Sequence, residues 1–433
     1  MILHRHLDVN EKGHLTIGGM DTVELAAEYG TPAYIIDENV IRENCRTYRR
    51  AAEEYFGAGA LPLYASKALC FTGIYKIAAE EGMGIDCVSG GELYTAKMAG
   101  FPAERIYFHG NNKTDRDICD AMDMGVGTFV VDNFDELYAI SREATKRNIT
   151  QRILLRITPG IDPHTHRAIS TGSVDSKFGT AIETGQAMDI VKAAIEAKGI
   201  ELAGLHCHIG SQIFDIDPFA EAADIMIRFI AEIKKECGYE IAELNLGGGL
   251  GVRYTEQDRE IDYAAAIKDI AAVVTGFCEK NKIKIPRVIL EPGRSLVAAA
   301  GITLYTVGSV KEIPNFRTYV SVDGGMPDNP RYALYQSQYT ATVANRAGEA
   351  KTKKVTLAGR CCESGDLIGE DMELQEAKRG DILAVLVTGA YNYSMASNYN
   401  RIPRPPVILV KDGQARVAVR RESYEDIVRN DLL

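Results

Sequence analysis

From residue 61 to residue 294, short apolar runs alternate with amphipathic stretches, and nothing else in the chain constrains its fold as strongly. The apolar runs are PLYAS, GIDCV, IYFH, TFVVD, ILLRI, AGLHCHI, ELNLG and VILEPG. Helix-like segments such as FDELYAISREATKRN and PFAEAADIMIRFIAEIKKECG lie between most of them. A strand joined to the next through a helix must run parallel to it. Eight such units predict an α/β fold of the closed (β/α)8 TIM-barrel type. The connection after ILLRI, from residue 158 to about 179, is longer than a bare connector needs and predicts a functional loop.

After Arg294 the pattern changes. ITLYTVGSV, RTYVSVDGG, KKVTLAG, ILAVLVTGA, PPVILV and ARVAVRR are β-rich, with Gly, Pro and Asp between them, and predict a C-terminal antiparallel β domain. AYIIDE, near residue 35, is one strand more than the barrel needs. It is assigned with the residues before it to the β domain. The predicted division is a barrel over residues 40–293 and a β-sandwich or β-barrel domain from residues 1–39 and 294–433.

The formal charge of −11 argues against nucleic acid or an anionic membrane as partner. No apolar run approaches a membrane span, and MILHRHLDVNEK lacks the apolar core of a signal peptide, so a cytoplasmic location is expected. The nine cysteines are scattered without a CxxC pair, which fits reduced thiols better than disulfides or structural zinc. His206 and His208 alternate onto one face of the predicted strand LHCH, but no further ligand set accompanies them and no metal is expected.

Barrel active sites gather at the C-terminal ends of strands, often with an anion bound after strands 7 and 8. ELNLGGGLG sets Gly247, Gly248, Gly249 and Gly251 directly after strand 7, where backbone N–H groups can converge on an anion without Cβ obstruction. Lys67 falls at the end of strand 1 and EPGR, Glu291 to Arg294, at the end of strand 8. These strands are neighbours once the barrel closes. An amine, an anion cradle and a carboxylate around one mouth are what pyridoxal phosphate requires.

Each residue alone has a plainer reading. Lys67 could lay its stem on apolar surface with its ammonium in water. Glu291 could be a salt-bridged surface acid, His208 a core histidine, and Cys362 a small buried hydrophobe. The tyrosines of YNYSMASNYN could be ordinary strand residues. Asp86 could lie near the lysine or cap the following helix.

YASKA, HCHIGSQ, GGGLG, EPGR, CESGD and GAYNYSMASNYN, in this order, resemble the alanine racemase-like (fold-type III) pyridoxal-phosphate decarboxylases over nearly the whole chain. The resemblance implies a barrel plus β domain, and a homodimer with active sites shared across the interface. It implies that Lys67 holds the cofactor covalently, that His208 stacks on its ring, that Ser211 and Gly249 lie near its phosphate, and that Gly248, Gly293 and Arg294 also bind the cofactor. Glu291 would face the pyridine nitrogen, and Tyr391 would return to the cofactor. Arg294, Arg331 and Tyr335 would hold substrate carboxylate, with Tyr391 beside them, and Cys362 and Glu363 would come from the partner subunit. Arg360 and Cys361 depart from the family pattern of proline and an apolar residue before Cys362, as does Tyr332 where proline is common.

An arginine clamp suits a distal carboxylate and Glu363 suits a distal ammonium. The expected reaction is therefore decarboxylation at the D centre of meso-2,6-diaminopimelate to L-lysine and carbon dioxide, with Cys362 reprotonating Cα. Two alternatives stand beside it: a related decarboxylase of a polyamine precursor of the carboxynorspermidine type, and a non-catalytic regulatory homologue. Loss of Lys67 or Cys362 would favour the latter, and both are present.

Overall fold

The computed structural model describes residues 4–161 and 175–432. Most of the long connection after the fifth barrel strand, residues 162–174, lies outside the described residues, and so does the expectation placed on it. The chain divides into two compact units. One comprises Asn44–Gly251 and Ile261–Ser295; the other comprises Met1–Glu43, Val252–Glu260 and Leu296–Leu433.

The first unit is the eight-stranded parallel barrel. Its strands are Leu61–Ala65, Gly84–Cys87, Ile106–Phe108, Thr128–Val131, Gln151–Thr158, Ile200–His206, Glu243–Asn245 and Arg287–Leu290. Each pairs in parallel with the next, and Ile289 against Leu61 closes the ring between strands 8 and 1. Leu63, Tyr107, Val130, Leu154, Ala203 and Ile289 form a buried apolar cluster drawn from six of these strands, which makes the interior a packed core rather than a pore. Local signals start and stop the outer helices. Thr114 and Asp117 form a capping box on Asp115–Met124, which ends at Gly125 in the left-handed region. Asn133 accepts the Glu136 N–H to begin Phe134–Lys146.

The second unit is built on a long strand, Gly301–Ile313. Its first half lies between Ala33–Asp37 and Ile382–Leu386, and its second half pairs with Arg317–Val322. All five residues of Ala33–Asp37 are buried, which explains an apolar strand so far from the rest of its sheet in sequence. The sheet is mixed rather than purely antiparallel: Val407–Lys411 runs parallel to Ala33–Asp37, and Arg317–Val322 parallel to Lys353–Ala358. Inserting the N-terminal strand and joining remote segments sets these directions, which alternation within one run cannot reveal.

Candidate active site

In the barrel unit the charged and polar residues converge at the C-terminal strand ends. The first strand stops at Ala65, and Ser66–Ala68 forms a tight turn that leaves Lys67 exposed between buried neighbours. Asp86 sits in the second strand, His109 follows the third, His206 ends the sixth, Asn245 ends the seventh and Glu291 follows the eighth.

Glu291 is the hub. One carboxylate oxygen lies 2.8 Å from His109 Nε2 and accepts from Asn245 Nδ2 at 2.6 Å; the other lies 3.2 Å from His206 Nε2. Asn245 Oδ1 in turn accepts the Gly247 N–H at 2.9 Å, which ties the hub to the glycine loop. Burial pushes the Glu291 carboxyl up, but the two imidazoles beside it reverse the sign and hold it well below the usual range. Burial also lowers His206, to about 4, against the pull of Glu291. The arrangement is thus an ionised carboxylate enclosed by an amide donor and two imidazoles, suited to face a protonated ring nitrogen.

Asp86 is buried and does not cap the next helix, whose N-cap is Ser89. Burial pushes its carboxyl up, Glu291 adds to the rise, and the charges of His109, Lys67 and Arg156 oppose it. Asp86 therefore belongs to the electrostatic surroundings of the lysine. His206 and His208 do not share a strand face, because the strand ends at His206, where its pairing with Asn245 stops. His208 lies in the following loop against Gly247, whose added Cβ would come within 3.0 Å of His208 Nδ1. Burial and then the Lys67 charge drive its pKa well down, so it presents a neutral imidazole.

The glycine loop is shaped by close approach. A Cβ on Gly248 would lie 2.0 Å from the Glu291 carbonyl oxygen. Gly249 has φ +125°, and a Cβ there would lie 2.3 Å from the Gly210 carbonyl oxygen. Next to Gly210, Ser211 Oγ accepts from Arg294 Nε and Nη2 at 3.3 and 3.1 Å, linking the loops after strands 6 and 8. Hydroxyl, guanidinium and side-chain-free backbone can together cradle a phosphate.

The β unit carries a second group. Arg331 is 5% exposed, with its guanidinium carbon 4.9 Å from the Tyr335 ring centroid and 5.0 Å from that of Tyr391. Tyr391 has φ +66°, a backbone state that L-residues adopt at a cost of roughly 1–2 kcal/mol, and it sets this ring against the arginine. Arg331 Nε has no hydrogen-bond partner, Nη1 meets only the Met395 sulfur at 3.9 Å, and among the described residues no carboxylate pairs with the side chain.

In the same unit, residues 362–365 are exposed while Asp366 behind them is buried. Asp366 accepts the Met326 N–H at 2.5 Å and the Cys361 N–H at 2.6 Å. The Cys362 N–H donates to Asn400 at 2.9 Å, and Tyr399 donates to Glu363 at 3.3 Å. Burial, then the charge of Asp366, push the Cys361 thiol up to about 12. Cys362 is the exposed member of the pair, not a small buried hydrophobe. The tyrosines of YNYSMASNYN lie in turns rather than strands.

Sequence reasoning missed His109, Asn245 and Asp366. His109 and Asn245 are legible only as polar residues where IYFH and ELN leave their strands, and Asp366 only as the last letter of CESGD. His109, His206 and Glu291 also bring three donor atoms within 4.8 Å of one another, a grouping the expectation of no ligand set overlooked.

A parallel barrel with a lysine, an ionised carboxylate and a glycine-walled cradle at its strand ends defines a pyridoxal-phosphate enzyme of the barrel type. Residues 39–298 match the family model described as pyridoxal-dependent decarboxylase, pyridoxal binding domain. The diaminopimelate decarboxylase of Bacillus subtilis is 49% identical, the match covering 100% of this chain and 98% of the relative. The structure of M. jannaschii diaminopimelate decarboxylase in complex with L-lysine superposes with a TM-score of 0.91 at 38% identity, covering 100% of this chain and 99% of that one. A lysine/ornithine decarboxylase from Vibrio vulnificus, in complex with putrescine, is more distant, with a TM-score of 0.75 at 25% identity over 90% of this chain and 98% of that one. The chain belongs to the diaminopimelate decarboxylase family, and its cofactor is pyridoxal phosphate.

Proposed function

We propose that this chain decarboxylates meso-2,6-diaminopimelate at its D centre, releasing L-lysine and carbon dioxide as the last step of lysine biosynthesis. The observation that carries the reading is Arg331. A buried guanidinium held between two tyrosines, with no carboxylate partner among the described residues, is costly unless an anion completes it. The distal carboxylate of diaminopimelate supplies that anion, and its distal ammonium finds Glu363. A diamine precursor without a distal carboxylate leaves the arginine idle. The full-length relatives named for this activity support the same choice.

In this reading Lys67 would hold the cofactor covalently, with His208 against its ring. Ser211 and Gly249 would hold its phosphate, Gly248, Gly293, Arg294 and Tyr391 would also bind it, and Glu291 would keep its ring nitrogen protonated. When bound, the cofactor supplies the electron sink that accepts the pair left at Cα as carbon dioxide departs. Arg294, Arg331, Tyr335 and Tyr391 orient the substrate by its carboxylates, and Cys362 Sγ returns a proton to Cα.

The molecule is proposed to be a cytoplasmic homodimer in which Cys362 and Glu363 complete the partner's site. The exposure of both residues on a loop anchored from behind by Asp366 supports this, since the loop is free to meet another surface. Among the described residues no helix is long and apolar enough to cross a membrane.

The test is carbon dioxide release from meso-diaminopimelate, L-ornithine and carboxynorspermidine at equal concentration. Release from the first alone, with L-lysine formed in equal amount, is expected. Faster release from either of the others would overturn the substrate assignment.

A further inference from the structure

Lys113 has no part in the chemistry above, yet its environment is built with care. Its side chain is 1% exposed, and its ammonium donates to the Gly110 carbonyl at 3.0 Å, the Val130 carbonyl at 2.7 Å and Glu136 Oε1 at 2.8 Å. Three donors thus meet three acceptors. Val130 lies in the fourth strand and Glu136 in the first turn of the helix that follows it. Asn133, the N-cap of that helix, donates to the Asn111 carbonyl at 3.3 Å. Residues 110–113 are therefore clipped to the neighbouring strand–helix unit at two points. At the near end the His109 N–H donates to the Cys87 carbonyl at 2.7 Å, and Gly110 turns the chain with φ +118°.

His109 is held between these anchors, with Nε2 2.8 Å from Glu291 and 4.0 Å from Asp86. We propose that Lys113 and Glu136 are positioning residues for the cofactor acid: by fixing Gly110 they set His109 against Glu291. A buried ion pair is costly to desolvate, and apolar residues of similar volume could fill the same space. What an apolar pair could not do is pin a carbonyl beside the histidine. Without the clip His109 relaxes, and Glu291 loses one of the two imidazoles that hold its carboxylate in place. The inference rests on the reading that Glu291 faces the ring nitrogen, and the experiment separates the two.

Lys113→Met alone leaves Glu136 buried and unpaired, and should lower the melting temperature. The double variant Lys113→Met/Glu136→Gln removes both charges at nearly constant volume and should recover most of that loss. Apoprotein of each is titrated with pyridoxal phosphate and followed by visible absorbance, and kcat and KM are measured on the loaded enzymes. Expected for the double variant is a cofactor dissociation constant raised about tenfold and kcat lowered about tenfold, as Glu291 loses the contact that fixes its position, with KM nearly unchanged. Glu291→Gln is the reference and should show at least the same loss of kcat. If Glu291→Gln is impaired while the double variant binds cofactor and turns over like wild type, the positioning role is overturned and the Glu291 reading stands. If Glu291→Gln is itself unimpaired, both fall. Should the double variant not fold, His109→Gln breaks the link directly, and wild-type cofactor affinity and kcat in that variant would overturn the inference.

Discussion

Asp366 offers a sharp test of how the Cys362 loop is held. Asparagine at this position keeps the volume but turns one oxygen into a donor. That donor must face either the Met326 N–H or the Cys361 N–H, which now share a single acceptor. The variant loses one hydrogen bond to a charged group and leaves a partly buried N–H unsatisfied, together about 3 kcal/mol at most. A loss of about 3 kcal/mol is a large share of typical stability and should lower the melting temperature of a unit this size by roughly 6–12 °C. A second readout comes from chemistry. Burial and the Asp366 charge hold the Cys361 thiol up at about 12, so it is protonated throughout the neutral range. Removing the charge lowers that pKa, and each unit of decrease gives about ten times more thiolate at a pH below it. Asp366→Asn should therefore alkylate faster at Cys361 with iodoacetamide at fixed mildly alkaline pH, as read by peptide mass spectrometry. A variant that melts with wild type and whose Cys361 reacts no faster would refute the account of Asp366 as the anchor.

Two further predictions concern substrate and assembly. Arg331→Ala should raise KM for meso-diaminopimelate steeply, by an amount equivalent to roughly 2–5 kcal/mol, with Arg331→Lys rescuing only in part because lysine cannot make the bidentate fork; near-normal KM in the alanine variant would point to a substrate lacking a distal carboxylate. Lys67→Ala and Glu363→Ala proteins, each nearly inactive, should recover about a quarter of wild-type activity when unfolded and refolded together, since half the dimers are mixed and each of these carries one intact site. No recovery, with mixed dimers confirmed by native mass spectrometry, would rule out a site shared between subunits.

Much of this molecule is written in periodicity. Alternating apolar runs and amphipathic segments specify eight strand–helix units, and closure then brings strands 1 and 8 together, with Ile289 against Leu61. The strands that lead to Lys67 and Glu291 become neighbours by topology, although they lie at opposite ends of the barrel sequence. What periodicity cannot specify is which polar residues meet once strands end. LHCH continues the alternation on paper, but the last pair with the seventh strand is His206 with Asn245, closed by the Cys207 N–H to the Asn245 carbonyl, and His208 lies beyond it. The histidine that reaches Glu291 is therefore His206, while His208 goes to the glycine loop. His109 and Asn245 gain their roles from convergence of several strand ends on one carboxylate, a property of the closed ring and of no single segment. The β unit follows the same logic: its strands are legible one by one, but a parallel neighbour such as Val407–Lys411 beside Ala33–Asp37 arises because remote segments find a buried central strand. Asp366 shows why motif reading stops short even where it succeeds. CESGD draws attention to the thiol and carboxylate that face outward, whereas the residue that holds them is the buried acid at its end, whose importance lies in two backbone N–H groups that no side-chain pattern encodes.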